Sequence, residues 1–229
     1  MTPSGPRCAG RGDGVDVSYG PDATRIRLDR PPVNAFTVEM LGYFAAAITD
    51  PAAGARPLLI SGAPDVFSAG FDIKQPASDS LTADWLARKC ISAVQEHPGL
   101  TVAAVEGAVV GLGLLIATSA DILVLSKSAL LRMPEVTLGI ASDVQPLRRF
   151  LPEAWIRRLC LIGEPCTAEQ MQLDRVGVML CDPGTADERA QAVITAARDI
   201  DVDPLGEIKR RLRALANAAD RWIDLQHRR

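Results

Sequence analysis

Apolar and polar side chains alternate along the first part of the chain in a way that is typical of β-strands. Residues 15–19 and 24–28 switch between apolar and polar at each position, and Gly20-Pro21-Asp22 lies between them as a turn. These runs predict a hairpin. Three later runs are short and continuously apolar: 57–61, 101–105 and 122–125. Strands of a parallel sheet that are buried on both faces have this pattern.

Helical periodicity lies between these strands. Apolar residues recur at helical spacing after Thr37, residues 82–96 follow the same period, and residues 111–119 are apolar all round. A helix without a polar face is packed inside the protein. From Glu153 onward the pattern is helical, with a break at Pro183-Gly184. Strands that alternate with helices predict β-α-β crossovers, and therefore an α/β fold with a mainly parallel sheet.

We expect three parts along the chain. Residues 1–14 are rich in glycine and proline and are predicted to be a disordered leader, whereas residues 15–180 form the core. Residues 181–229 are predicted to be a helical C-terminal region. Within it we expect one helix at 204–213 and a final helix at 214–225, because apolar and charged residues there recur at helical spacing.

Composition and charge narrow the possible functions. The 229 residues have a formal net charge of −3 at pH 7, which argues against a nucleic-acid binder. A basic run at Lys209–Arg213 is predicted to be a solvated helix face or, by a sharper interpretation, a patch that attracts phosphate. The five cysteines form no CxxC pair and predict neither a metal site nor a disulfide framework. Without an apolar signal core or membrane span, we expect a cytoplasmic protein.

Four segments combine glycines, small residues and carboxylates. They are Arg30–Phe36, Val66–Lys74, Gly107–Gly113 with Ala120-Asp121-Ile122, and Met133–Gly139. In order and spacing they resemble the motifs RPxxNAL, FSAGADLK, GxxxGGGxELALACDI and xPEVxLG of the crotonase (enoyl-CoA hydratase/isomerase) family. The resemblance covers residues 15–180. It implies an α/β crotonase-like β-β-α spiral core with a C-terminal helical region, and it implies binding of an acyl-CoA thioester.

Two of these segments suit a backbone oxyanion hole. Ala69-Gly70 would let the main chain approach a ligand, and Gly111-Leu112-Gly113 opens the buried helix, where N–H groups are unpaired. By resemblance, the amides of Ala69 and Leu112 are the two donors that stabilise the enolate of the thioester. The same resemblance predicts substrate contacts at Ser68, Gly70, Phe71, Asp72, Ile73, Gly111 and Leu115. Taken alone, these glycines would indicate only tight turns and close packing.

Two carboxylates are the predicted catalytic residues. The segment Leu138–Arg149 resembles VGLAADVGTLQRLP of dienoyl-CoA isomerases, which implies that Glu135 acts at the α-carbon and Asp143 at a remote carbon. Leu115 stands where hydratases of the family have a carboxylate, and a leucine cannot activate water. The alternatives are that Glu135 is a solvated loop carboxylate and that Asp143 caps a helix over 144–151.

The sequence therefore predicts an enzyme that isomerises an enoyl- or dienoyl-CoA by proton transfer. The alternatives are a hydratase- or dehydratase-type lyase, a non-catalytic acyl-CoA-binding pathway partner, and a structural subunit of a larger complex. Dehalogenation matches less well because it needs a catalytic histidine, and His97 is expected to end a helix before Pro98. The resemblance implies no metal and no cofactor beyond the CoA of the substrate. It also implies a homo-trimer or hexamer.

Overall fold

The computed structural model describes residues 7–12, 14–76, 80–174 and 176–226. Side-chain surroundings are described for these residues except 7–12, 80 and 215–226. Within this part of the chain, no helix is both long enough and apolar enough to cross a membrane.

Strands occur along the chain from residue 7 to residue 181. In chain order they are β1 (Arg7–Gly12), β2 (Val15–Tyr19), β3 (Thr24–Leu28), β4 (Leu58–Ser61), β5 (Val66–Ser68), β6 (Thr101–Val105), β7 (Ala108–Val110), β8 (Ile122–Ser126), β9 (Leu130–Arg132), β10 (Cys166–Thr167) and β11 (Met179–Cys181). The predicted hairpin is β2 and β3, and the continuously apolar runs are β4, β6 and β8. These predictions are confirmed.

The strands form two sheets. The larger sheet has the order β1-β2-β3-β4-β6-β8-β11; β1, β2 and β3 pair antiparallel, and the pairs from β3 onward are parallel. The smaller sheet has the order β10-β9-β7-β5. Within it, Ala108 of β7 lies opposite both Val66 of β5 and Leu130 of β9. Because β5 and β7 run parallel, the loops that leave their carboxyl ends emerge on the same side.

Helices connect and cover the strands. They are α1 (Val38–Thr49), α2 (Ser80–Glu96), α3 (Leu112–Ser119), α4 (Glu153–Ile162), α5 (Ala168–Leu173), α6 (Ala186–Ala196) and α7 (Val202–Gln226), with 3-10 helices at Pro134–Leu138 and Pro146–Arg149. Thr37 caps α1, since its hydroxyl accepts the N–H of Met40 at 3.1 Å. Every residue of α3 is buried, as its uniformly apolar sequence predicted. α3 therefore lies inside the protein.

A buried ion pair joins the last helix to the base of α3. Lys209 of α7 is only 6% exposed, and its Nζ lies 2.7 Å from Oδ2 of Asp121, the residue that follows α3 and its C-cap. The same ammonium donates to the carbonyls of His97 and Gly99 at 2.7 Å each. These carbonyls follow the C-terminal end of α2, where a cation is favourable. Lys209 is thus not part of a solvated basic face.

Three predictions for the chain ends are corrected by the structure. Residues 7–12, predicted to be disordered, form β1 and pair with β2; residues 1–6 and 13 lie outside the described chain. The two helices predicted at 204–213 and 214–225 are a single helix, α7. Residues 179–181, expected to be helical, form β11 because they pair with β8 at the sheet edge. Local periodicity cannot distinguish a three-residue edge strand from a helical turn.

Candidate active site

Asn34 holds the loop that follows β5. Its backbone is left-handed, with φ 51°, and its side-chain amide donates to the carbonyls of Val66 and Phe67 at 3.1 and 3.2 Å. Its Oδ1 accepts the N–H of Arg30 at 2.8 Å. Arg30 forms an ion pair with Asp72, the two side chains being 3.0 Å apart. The turn that carries Asn34 therefore holds β5, which precedes this loop, and Asp72, which lies after Gly70 and Phe71.

The N–H of Ala69 is used within this loop. It donates to the carbonyl of Val33 at 2.9 Å. The N–H of the next residue, Gly70, donates to the hydroxyl of Ser68 at 3.1 Å. Because a main-chain N–H has a single hydrogen to donate, this bond competes with the predicted role of Ala69 as an oxyanion donor.

The N–H of Phe71 faces the other way. Phe71 forms an isolated parallel bridge with Phe36, in which Phe36 N donates to the Gly70 carbonyl at 2.8 Å and Asp72 N donates to the Phe36 carbonyl at 2.9 Å. In this pattern the two residues that flank Phe71 make the bonds, and Phe71 turns its own N–H away from Phe36. This loop therefore keeps one N–H that the bridge does not use.

The loop packs against the first turn of α3. A Cβ added to Gly70 would lie 2.9 Å from the Val110 carbonyl oxygen and 3.5 Å from the nitrogen of Leu112. A Cβ added to Gly113 would lie 2.7 Å from that of Ser68. No side chain caps α3, and the first N–H groups of a helix have no acceptor within the helix. The N–H of Leu112 thus lies beside the loop, at the positive end of the helix dipole.

Glu135 lies against the same end of α3. It belongs to the 3-10 helix Pro134–Leu138, and a Cβ added to Gly111 would lie 2.2 Å from its Oε1. Its Oε2 is buried and has no hydrogen-bond partner among the described residues. Burial raises the pKa of the Glu135 carboxyl above its ordinary value. A carboxylate in this state is a stronger base than an exposed one. Glu135 is therefore not a solvated loop carboxylate.

Asp143 is in a different environment. Its side chain is exposed, and its Oδ1 accepts the N–H of Gln145 at 2.9 Å. This turn precedes the 3-10 helix Pro146–Arg149, which replaces the helix predicted over 144–151. Pro146 is the first residue of this 3-10 helix, a position at which the missing N–H of proline is tolerated. The structure thus gives Asp143 a local turn contact, close to the alternative of a cap.

A small cavity opens beside Glu135. Its volume is about 250 Å³. The residues that line it are Met133, Glu135, Val136, Ile140, Ala141, Ser142, Val144, Cys160 and Leu161. Asp143 is not among them, although both of its neighbours are. Most of these side chains are apolar, and Cys160 and Leu161 of α4 were not among the predicted site residues.

Four other predicted substrate contacts differ in their surroundings. Ser68 and Asp72 are used by the protein itself: the Ser68 hydroxyl donates to the Asn34 carbonyl at 2.7 Å, and Asp72 accepts the Lys74 N–H at 3.1 Å. That backbone bond, opposed by partial desolvation and helped by Arg30, lowers the pKa of Asp72. Ile73 is exposed, whereas Leu115 is buried at 6% exposure. Leu115 leaves this part of the site without a carboxylate.

His97 does not line the cavity beside Glu135. The ring of His97 is buried at the end of α2, as predicted, and its Nε2 lies 2.7 Å from the carbonyl oxygen of Arg56. Burial lowers the pKa of this imidazole. No three His, Cys, Asp or Glu side chains within the described ranges come together as a metal site would require.

Comparisons with known proteins agree with this architecture. The family model for enoyl-CoA hydratase/isomerase matches residues 22–186. A probable enoyl-CoA hydratase of Bacillus subtilis (strain 168) is 30% identical over 181 residues, which are 73% of this chain and 69% of that protein. The mitochondrial Delta(3,5)-Delta(2,4)-dienoyl-CoA isomerase of Homo sapiens is 32% identical over 170 residues, which are 65% of this chain and 51% of the isomerase.

Solved structures show the same fold. The structure of Pseudomonas aeruginosa DspI aligns with 94% of this chain and 96% of its own, with a TM-score of 0.78 and 24% sequence identity. The α/β fold predicted from the sequence is thereby confirmed. Because the family model matches well over half of the residues, the chain belongs to the enoyl-CoA hydratase/isomerase family, the crotonase superfamily.

Proposed function

We propose that this protein binds an acyl-CoA thioester and isomerises a 3-enoyl to a 2-enoyl group with Glu135 as its single base. The observation that carries the proposal is the buried Oε2 of Glu135, which has no hydrogen-bond partner among the described residues. A buried carboxylate oxygen without a hydrogen-bond partner is costly for folding. An unpaired oxygen is, however, available to take a proton from a substrate carbon and to return it.

The proposed oxyanion hole uses the N–H groups of Leu112 and Phe71. Leu112 retains the position that the sequence predicted, at the uncapped start of α3. Phe71 replaces Ala69 because its N–H is turned out of the bridge with Phe36. A Cβ added to Gly70 would lie 3.5 Å from the nitrogen of Leu112, so the two segments lie side by side. On this ground the proposal has both amides donating to one carbonyl oxygen. Losing one such donor costs about 3–4 kcal/mol in the transition state.

The reaction then needs one proton acceptor. Glu135 takes a proton from the α-carbon, the electron pair of that C–H bond delocalises onto the thioester oxygen, and the two N–H groups stabilise the negative charge. The same carboxylic acid returns the proton to the γ-carbon, so that the double bond moves from carbons 3 and 4 to carbons 2 and 3. One carboxylate is sufficient because both carbons lie within reach of a side chain at the same face.

The environment of the other two candidate positions favours this reaction over its alternatives. Hydration needs a second group to activate water, and the place of that group is taken by Leu115. Dienoyl isomerisation needs a second acid at a remote carbon, and Asp143 is exposed and outside the cavity of Glu135. A single-base shift is therefore the form of the predicted isomerisation that the geometry supports best. We also propose that the protein forms a homo-trimer or hexamer and that it uses no cofactor beyond the CoA of its substrate.

Solvent exchange tests the proposal directly. The protein is incubated in D₂O with butyryl-CoA and with 3-hexenoyl-CoA, and deuterium incorporation is followed by mass spectrometry. We expect deuterium at the α-carbon of both compounds and conversion of the second to 2-hexenoyl-CoA. Binding of both compounds without any deuterium uptake would make the protein a non-catalytic acyl-CoA binder. Formation of 3-hydroxyhexanoyl-CoA from the 2-enoyl product would instead identify a hydratase.

A further inference from the structure

We propose that the protein has a second ligand site, which binds an organic anion at the edge of the larger sheet opposite to the proposed active site. The site is a cavity of about 580 Å³, more than twice the volume of the cavity beside Glu135. Cavities that bind small organic molecules have volumes of roughly 300–1,000 Å³. Its size therefore suits a small-molecule ligand.

Four segments line this basic cavity. They are the turn before β3, the loop between α1 and β4, the residues just before β6, and the connection from α6 into the first turn of α7. Because β3, β4 and β6 run parallel, their amino ends lie at the same edge of the sheet. The basic cavity is at this edge.

The proposed oxyanion donors lie at the other edge. They follow β5 and β7, which come after the carboxyl ends of β4 and β6. The eight residues of α3 span about 12 Å between the two edges. The helix begins at Leu112, and beyond its C-terminal end Asp121 donates its N–H to the carbonyl of Thr101, the first residue of β6. The basic cavity is thus separate from the proposed active site.

Buried groups fix one wall of the basic cavity. A Cβ added to Gly99 would lie 2.5 Å from the carbonyl oxygens of both Ala55 and Arg56, so the loop between α1 and β4 packs directly on the chain before β6. Nε2 of His97 lies 2.7 Å from the Arg56 carbonyl oxygen, and Lys209 donates to the Gly99 carbonyl at 2.7 Å. A ligand would therefore meet a wall that is already ordered, which lowers the entropic cost of binding.

The charges around the basic cavity favour an anion. Its charged residues are Arg56, Arg198 and Asp22, so the lining has one positive charge in excess. Arg198 pairs with Asp22 at 3.1 Å. Arg56 donates to the carbonyl of Ala52, another residue of the lining, at 2.7 Å, and no carboxylate pairs with it in the part of the chain that the structure describes. A guanidinium has five N–H donors, so these contacts leave several for a ligand.

Apolar side chains beside the arginines indicate the rest of the ligand. Ile200 and Val202 line the basic cavity, although 53% and 39% of their surfaces are exposed. Leu100 and Leu205, which are half-buried, also line it. Exposed apolar side chains next to a few polar groups in a concave surface are typical of a binding site. The ligand class is therefore an organic carboxylate, phosphate or sulfonate with an apolar body.

A pair of fluorescent dyes tests the proposal. Anilinonaphthalenesulfonate is the probe, because it joins one sulfonate to an aromatic body. Phenylnaphthylamine, the same compound without the sulfonate, is the neutral control. Fluorescence titration of the folded protein gives the dissociation constant of each dye. In Arg56→Gln we expect the sulfonate to bind about ten-fold more weakly and the neutral dye to change less than about two-fold, because only the sulfonate loses a charged partner.

The ion pair between Asp22 and Arg198 offers a change in the opposite direction. Asp22→Ala removes the one negative charge of the lining and releases Arg198, so the sulfonate should bind about three-fold more tightly. The matched control is Arg189→Gln, which removes an exposed arginine of α6 outside the basic cavity. It should change the affinity for either dye less than about two-fold.

Three outcomes would overturn the proposal. They are an unchanged affinity for the sulfonate in Arg56→Gln, an equal loss for both dyes in that variant, and weaker binding of the sulfonate in Asp22→Ala. None of the three variants alters Glu135, Leu112 or Phe71. The dye titrations therefore test the second site whether or not the protein isomerises an acyl-CoA.

Discussion

The two ends of α3 each have a carboxylate, and their surroundings are opposite. At the C-terminal end, Asp121 accepts the N–H and the hydroxyl of Thr101 at 2.9 Å each. It also pairs with Lys209 at 2.7 Å and with Arg149 at 3.4 Å. At the N-terminal end, Oε2 of Glu135 has no partner among the described residues. One carboxylate is fully paired and the other has an unpaired oxygen.

This difference separates structure from chemistry. A buried charge that has cations and hydrogen-bond donors around it stabilises one arrangement of the chain. A buried carboxylate without such partners favours its protonated form and readily exchanges a proton. The short helix α3 therefore connects a C-terminal end that is fixed by ion pairs to an N-terminal end where the proposed reaction takes place. Substitutions at the two ends should therefore differ in what they remove.

The largest expected effect is the loss of exchange in Glu135→Gln. Removing the only base should lower α-proton exchange by about 10²–10⁴-fold. The free energy of unfolding should not fall, because the substitution removes a buried charge without a partner. Exchange is measured by mass spectrometry in D₂O, and stability by urea unfolding. A variant that keeps wild-type exchange would show that Glu135 is not the base.

Asp121→Ala should give the reverse result, a large loss of stability. Removing it leaves Lys209 buried without its counter-charge, which costs about 3–5 kcal/mol. Urea unfolding measures the change. The control is Asp22→Ala, which breaks the exposed ion pair with Arg198 at 3.1 Å and should cost less than about 1 kcal/mol. Equal losses in the two variants would mean that the buried pair has no special role.

Alanine substitutions at two glycines with positive φ can distinguish the effect of backbone strain from the effect of displacing Glu135. Gly111 and Gly139 have φ of 52° and 73°, so alanine at either position should cost about 1–3 kcal/mol of stability. Only at Gly111 does the added Cβ meet Glu135; at Gly139 nothing lies within 4 Å. We expect exchange to fall at least about ten-fold more in Gly111→Ala than in Gly139→Ala. Similar exchange rates in the two variants would show that the contact between Gly111 and Glu135 does not affect catalysis.

The raised pKa of Glu135 predicts two pH effects. Exchange should fall about ten-fold per pH unit below that pKa, because the base becomes protonated. Stability has the opposite sign: the folded state binds the proton more tightly than the unfolded state, so this contribution is present at low pH and is lost as pH rises through the folded pKa. Urea unfolding across pH should show wild type losing stability relative to Glu135→Gln as the pH rises. A constant difference would contradict the burial of this charge.

The smallest effect is expected for Asp143→Asn. The amide oxygen can still accept the Gln145 N–H, and the side chain is outside the cavity of Glu135. Exchange at the α-carbon and formation of the 2-enoyl product should change less than about three-fold. A loss of 100-fold or more would restore Asp143 as a second catalytic acid, as first predicted from the sequence.

The sequence predicted the elements better than the contacts. Periodicity located β2 to β4 and the buried helix α3, because burial imposes a repeat on consecutive residues. The motifs located Glu135 and Leu112, whereas the hydrogen bond from Ala69 to Val33 depends on two segments that meet only in the fold. Spacing cannot show which N–H of a loop is already used.

The C-terminal half was predicted less well for the same reason. A lysine in a charged helical run has the pattern of a solvated residue, and its burial depends on Asp121, which is 88 residues earlier in the chain. Cys160 was missed because a cavity wall requires only a small side chain at one point. Such partners leave no local pattern in the sequence.

The pairing of Asp121 with Lys209 bears on the order in which the protein matures during synthesis. The ribosome completes α3 and both of its carboxylates long before it makes residue 209. Until then Asp121 lacks its nearest counter-ion, and of its two cationic partners only Arg149, at 3.4 Å, has been made. The last helix would therefore close the fold at the end opposite to the chemistry, and a chain released too early would carry all the motifs of the site on an unsupported helix.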